Sequence, residues 1–291
     1  MLASSIASAS LALGKAKEQR FPVGLVAGGR NNTLWQAFDE CKELGVHYVE
    51  INNTHTKVVD NWESKIPEFR DEMSKRGLTL IGSAMYSHMH ITEKRQELID
   101  EHLRVARFLK AVGGRYMNPL IAPGANLGNG TDAEYAAVDI KAWAENANAI
   151  GKRVHEETGL QIGLHPEQGD LRTGQFERFM NATDPRAFNV WLDVGHFAAC
   201  GFDPLAVVKK YRSRMIGAHL RDFKPAPPDA PPAQNGEAAR GRMVAFGEGI
   251  VRLNDLVGYL IETDFKGPVL GEGAGRRAMT EYMTRTLKLK L

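Results

Sequence analysis

The 291-residue chain has only two cysteines, Cys41 and Cys200, and neither belongs to a Cys-x-x-Cys pair or a Cys/His cluster. That removes thiolate metal centres and dithiol redox chemistry, and both residues read as small buried hydrophobes in apolar settings. No run approaches 18 apolar residues, so no membrane-spanning helix is expected. An excess of either charge is also missing: 37 Lys+Arg face 35 Asp+Glu, a net charge of +2. Such a balance argues against a broad nucleic-acid or anionic-membrane surface. No Gly-x-Gly-x-x-Gly follows the first apolar run, where Gly28-Gly29 leads into Arg30-Asn31-Asn32. A nucleotide-binding doubly wound sheet is therefore the weaker fold.

What is present is ordinary for a globular protein: 43% hydrophobic and 25% charged residues, which excludes wholesale disorder. The first thirteen residues carry no charge and are followed by Gly14, Lys15, Ala16 and Lys17. They look like the apolar part of an export signal without its basic start. Residues 1–20 are thus read as an extension and 21–291 as the folded unit, with a cytoplasmic location expected and export as the alternative.

From Phe21 onward, short apolar runs alternate with amphipathic ones. The runs Phe21–Ala27, Val46–Asn52, Leu78–Ala84, Arg115–Ile121, Leu160–His165, Phe188–Asp193, Met215–Leu220 and Pro268–Glu272 read as buried parallel strands. Between them, helices are expected over 33–44, 60–76, 92–112, 132–157, 172–182, 203–211, 253–263 and 276–288. Thr33, Thr92, Thr131 and Asp203 serve as starts, and Gly45, Gly77, Gly113, Gly159 and Gly267 as stops. Eight strands alternating with eight helices predict a single α/β (β/α)8 TIM barrel. Pro225 to Gly249 interrupts the rhythm with five prolines and four glycines, and is expected to be a structureless lid over the C-terminal face of the barrel.

Active sites of such barrels sit at the C-terminal ends of strands. Those ends carry Glu50, His165 with Glu167, Asp193 with His196, His219 with Asp222, and Glu272. One such group could be a paired structural residue, but four successive strands carrying them point to a site. A His/Asp/Glu set without thiolate suits one divalent ion such as Mn²⁺, Mg²⁺, Co²⁺ or Zn²⁺. The residues offer His165 or Glu167, then Asp193, His219 and Glu272.

The segments Ile162-Gly163-Leu164-His165-Pro166-Glu167, Trp191-Leu192-Asp193-Val194-Gly195-His196, Ala218-His219-Leu220-Arg221-Asp222 and Phe246-Gly247-Glu248-Gly249 resemble the motif series of the xylose isomerase-like TIM barrels. The series is most similar to the inosose-dehydratase branch, and the resemblance covers nearly the whole chain from Phe21. It implies metal ligands at His165, Asp193, His219 and Glu272, with Mn²⁺ foremost. It also implies a keto sugar or keto-polyol as substrate and no nucleic-acid or membrane partner, and it leaves a homo-oligomer open. The chain departs from the pattern at the fifth strand, where many relatives have Glu in place of His165 and inosose dehydratases tend to have His in place of Glu167. Arg221-Asp222 stands where relatives have Lys-Asp.

The implied chemistry is isomerisation, epimerisation or dehydration through an enediolate stabilised by the ion. Glu167 is the candidate base because it lies two residues from His165 and shares its side of the strand. His196 is a candidate acid or hydroxyl ligand, and Glu50 a further catalytic candidate. Arg221, Asp222, His88 and Glu248 are candidate substrate contacts. A metal nuclease resembling AP endonucleases, or an inactive sugar-binding subunit, are the competing functions on the same fold; the near-neutral charge and the retained donor set disfavour them.

Overall fold

The computed structural model describes residues 17–27, 33–52, 62–124, 130–230, 241–273 and 275–291. Residues 1–16 of the expected extension, Arg30-Asn31-Asn32 and the middle of the expected lid lie outside the described residues.

Eight strands close a barrel: β1 (Val23–Ala27), β2 (Tyr48–Asn52), β3 (Thr79–Ser87), β4 (Tyr116–Ile121), β5 (Gln161–Leu164), β6 (Asn189–Asp193), β7 (Met215–Leu220) and β10 (Val269–Gly271). They follow one another around the ring in chain order, and β10 closes on β1 through Val23↔Val269. Every barrel pairing is parallel, as the continuous apolar runs predict. The chain belongs to the (β/α)8 architecture.

The helices that cover the strands are α1 (Leu34–Glu43), α2 (Trp62–Arg76), α3 (Arg95–Val112), α4 (Asp132–Ala136), α5 (Ile140–Thr158), α6 (Gln168–Arg172), α7 (Gln175–Ala182), α8 (Val194–Ala199), α9 (Pro204–Tyr211), α10 (Leu253–Glu262) and α11 (Arg276–Arg285). One expected helix is divided, and another, expected over 172–182, begins only at Gln175 behind a separate short helix. The segment 132–157 breaks at Asp139, whose carboxylate caps α5 by accepting from the Lys141 and Ala142 N–H groups. Gly174, at φ 72°, separates α6 from α7. Thr33 and Thr131 begin helices with reciprocal capping boxes, Thr33 with Gln36 and Thr131 with Glu134.

The expected lid is corrected at both ends. Asp222–Pro225 (β8) and Gly241–Val244 (β9) pair antiparallel, Asp222 opposite Val244, so the excursion leaves and re-enters the barrel through a hairpin rather than as a structureless loop. At the other pole, the Gln19 side chain clips the end of the chain. Its amide nitrogen donates to the Lys290 carbonyl and its oxygen accepts from the Lys290 N–H. Among the described residues, no helix is long and apolar enough to cross a membrane.

The main core lies between strands and helices. A second, small cluster of Ile81, Trp191, Ile216 and Leu270, with Val26, Tyr48 and Tyr116 packed against it, is separate from the main core. In a strand, residues two apart share a face. The residues two positions on from Tyr48, Tyr116, Trp191 and Leu270 are Glu50, Asn118, Asp193 and Glu272. An apolar layer therefore underlies a polar one nearer the C-terminal mouth. Trp191 fills the space that Gly217 leaves, since a Cβ there would lie 2.3 Å from the indole. The same ring packs edge-on to His219, 5.4 Å between centroids.

Candidate metal centre

Four side chains converge above the Trp191 layer. β6 and β7 are in register at Asp193↔His219, and His219 is also paired with Leu270 of β10, two residues before Glu272. His165 directly follows β5, its N–H donating to the Pro119 carbonyl. The donor atoms of His165, Asp193, His219 and Glu272 lie within 4.8 Å of one another.

His219 Nε2 lies 3.1 Å from Glu50 Oε2. A carboxylate only accepts, so Nε2 carries the proton and Nδ1 is directed inward. That nitrogen is 2.9 Å from His165 Nε2 and 2.8 Å from Glu272 Oε2. Asp193 Oδ2 lies 3.7 Å from His165 Nε2. Asp193 Oδ2 and Glu272 Oε2 are buried and are met by ion pairs to the imidazoles and Arg221 rather than by backbone N–H groups. Lone pairs so gathered repel unless a cation or proton lies between them. Adjacent donors about 2.1 Å from one octahedral ion stand about 3.0 Å apart, close to the two short separations. The cluster suits one divalent ion.

The electrostatics of the protein alone carry the same signature. Burial pushes His219 down, but the Glu50 and Glu272 carboxylates outweigh it and hold the imidazole up at about 10. A proton thus takes the place of a cation. Burial raises Glu272, yet Arg221 and His219 hold it well below the usual carboxylate range. Asp193 is likewise held well below its ordinary value despite burial, by the neighbouring His196 and then Arg221.

Arg221 spans the two acidic donors. Nη1 lies 3.4 Å from Asp193 Oδ2, and Nη2 lies 3.0 Å from Glu272 Oε1. Nη1 also donates to His196 Nε2 at 2.8 Å. His196 Nδ1 faces the Pro166 carbonyl at 3.0 Å, so Nδ1 carries the proton and Nε2 is the acceptor. Both ring nitrogens are engaged. His196 therefore holds the Arg221 guanidinium beside the donor cluster. Only glycine permits this approach at position 195, where a Cβ would stand 2.5 Å from Arg221 Cβ.

Glu167 is buried, with Oε2 3.8 Å from His196 Nδ1. Its N–H donates to Asp170 Oδ2 at 2.8 Å, and burial pushes the Asp170 carboxyl well above its ordinary range. Glu167 also forms a second donor group with His165 and His196. That group shares His165 with the first, and its His196 is occupied by Arg221 and Pro166.

The remaining candidates have the following surroundings. Glu50 is fully buried beneath His219 and accepts from Asn118 Nδ2 at 3.2 Å, so it orients the imidazole. Asp222 is buried, and its carboxylate accepts from the N–H groups of Phe223, Gly247, Gly249 and Val251, which leaves no lone pair directed at a ligand. His88 lies outside the donor cluster: Nδ1 is 2.7 Å from the Ala122 carbonyl, and the residue lines a cavity of about 440 Å³ with Lys94, Glu97 and Arg104. Glu248 is exposed in the turn that follows β9. Sequence reasoning missed Asn118 and Asp170. A signal existed only for Asn118, a lone amide in the apolar run Tyr116–Ile121.

Comparison with known proteins agrees with this architecture. The profile of the family described as xylose isomerase-like TIM barrel matches residues 38–287. The chain is 23% identical over 275 residues to inosose dehydratase 2 of Bacillus cereus, covering 90% of this chain and 89% of that protein. Among solved structures, the probable 3-DHS dehydratase AsbF of Bacillus anthracis superposes with a TM-score of 0.69 at 15% identity, covering 91% of this chain and 99% of that one. The 3-keto-D-glucoside 4-epimerase YcjR of E. coli superposes with a TM-score of 0.62 at 16% identity, over 91% and 99% of the two chains.

Proposed function

The chain belongs to the xylose isomerase-like TIM barrel family, and from that premise we propose that it is a divalent-metal-dependent enzyme that removes the proton beside the carbonyl of a keto sugar or keto-polyol. The observation that carries this reading is the buried convergence of His165, Asp193, His219 and Glu272, whose donor atoms lie within 4.8 Å of one another. His165, Asp193, His219 and Glu272 would hold the ion, and a mixed nitrogen and oxygen set suits Mn²⁺, Mg²⁺, Co²⁺ or Zn²⁺, with Mn²⁺ the one the sequence resemblance puts foremost. Such an ion supplies Lewis acidity to a carbonyl and its neighbouring hydroxyl, which acidifies the adjacent C–H.

The residues around the donors divide the remaining work. Glu167, buried beside His196, takes the proton. Arg221 is held fully charged, since Glu272 and Asp193 overcome the effect of burial. Its guanidinium stands ready to stabilise negative charge developing on a substrate oxygen. His196 holds that guanidinium in place. Return of the proton to the same skeleton gives isomerisation or epimerisation, and loss of a β-oxygen gives dehydration. The inosose dehydratase similarity favours the second outcome.

The test is incubation of Mn²⁺-loaded protein with inososes, 3-keto-glycosides and free ketoses in D₂O. Deuterium beside the carbonyl of an intact sugar supports isomerase or epimerase chemistry, and an unsaturated diketone supports dehydration. Glu167→Gln should slow either by roughly 10²–10⁴. Failure of every substrate to exchange its α-proton rejects the mechanism.

A further inference from the structure

The cleft that leads to the donor cluster is chemically divided. It has a volume of about 400 Å³ and is lined by Arg221 and Glu272 together with Met243, Val244, Phe246 and Met279. Of the four donor side chains, Glu272 is 24% exposed, whereas His165, Asp193 and His219 are 4%, 0% and 2% exposed. Solvent therefore reaches the cluster at Glu272, and a sugar held there lies against this cleft.

The apolar lining does not suit a bare polyol. Hydroxyl groups buried against methionine and phenylalanine lose water without gaining a partner, which is unfavourable. A flat apolar group loses nothing there. It can meet the Phe246 ring and the adaptable thioethers of Met243 and Met279. Phe246 is held by Tyr282, 5.9 Å between centroids at 81°, so its ring is fixed in orientation. Met243 Sδ stands 3.0 Å from the Cβ position of Gly195, which lies between Asp193 and His196. The apolar wall is thus continuous with the turn that carries the donor cluster.

We propose that the cleft between the β8–β9 hairpin and α11 is an aglycone subsite, and that the substrate is a keto-glycoside bearing a flat apolar aglycone. The proposal rests on the keto-sugar reading above and narrows its substrate class. Calorimetric binding of phenyl and methyl 3-keto-β-glucosides, with and without added Mn²⁺, tests it directly. The phenyl compound should bind at least tenfold more tightly. Ala245→Trp, which fills the cleft from an exposed position, and Met243→Ser, which makes its wall polar, should each bring that ratio towards one. Equal affinity for the two glycosides in the unaltered protein, or a ratio that survives both substitutions in folded protein, overturns the subsite. Tighter phenyl binding without deuterium exchange in D₂O supports the subsite and rejects the reaction proposed above.

Discussion

Two layers of the barrel interior are built from the same strands two residues apart, yet they have opposite chemistry. Tyr48, Tyr116, Trp191 and Leu270 belong to the lower one, and Glu50, Asn118, Asp193 and Glu272 to the upper. The lower layer is close-packed around an indole and contributes to folding. The upper layer gathers carboxylates whose charge is balanced by His219 and Arg221, and it presents them to a ligand rather than packing them away. Stability and function are thereby separated along the barrel axis.

The most decisive way to sharpen this separation is Asp193→Asn. The amide can still accept from the His196 N–H and cap α8, but it lacks the charge that a cation needs. Ion binding measured by calorimetry should be lost and proton exchange should fall by at least about 10³, while the denaturation midpoint moves less than in the next variant. Retention of a full complement of ion would remove Asp193 from the donor set. Trp191→Ala addresses the opposite layer. It opens a cavity beside Gly217 and should cost about 3–5 kcal/mol in denaturant unfolding; a cost below about 1 kcal/mol would mean that the lower layer is not the stabilising one.

Glu50→Gln tests the join between the layers. It keeps the shape of the carboxylate but weakens the hold on His219 Nε2, and should reduce ion affinity by roughly 10–100-fold. An unchanged affinity would show that His219 needs no orienting partner. The smallest effect concerns His102 of α3, buried like His219 but facing no carboxylate. Burial holds it down to about 4, against 6.5 ordinarily, with a bond to the Leu98 carbonyl opposing only part of that. The unfolded chain therefore binds this proton first as the pH falls. Stability is complete above about pH 6.5 and declines towards pH 4, by on the order of 1–2 kcal/mol between pH 6.5 and 5. His102→Asn should flatten that part of the stability curve, and an unaltered slope would assign it to other groups.

Much of this was legible in the sequence because a buried parallel strand is a continuous apolar run, and a polar residue at its end is conspicuous. That logic alone placed His165, Asp193, His219 and Glu272 at neighbouring strand ends. The hairpin was not legible: β8 and β9 are four residues each, Pro225 ends one and Gly241 begins the other, and their outer residues are exposed, so neither shows an apolar period. Roles were also harder to read than positions. Glu50, His196 and Asp222 have the chemistry of catalytic groups, and only their partners show that one orients an imidazole, one holds a guanidinium and one gathers backbone N–H groups. Those partners come from β7, from the turn after β5 and from residues 247–251, separations that no local pattern encodes.

The Asp222 carboxylate also bears on how this protein could diversify. Its oxygens receive N–H groups from Phe223, where the excursion departs, and from Gly247, Gly249 and Val251, where it returns. Both ends are thus fastened to one side chain at the barrel rim. A segment anchored in this way can grow or shrink at little thermodynamic cost, since doubling a loop's length adds only about 0.6 kcal/mol. A change in the length of chain between Pro225 and Gly241 should therefore leave the strands beneath it as they are.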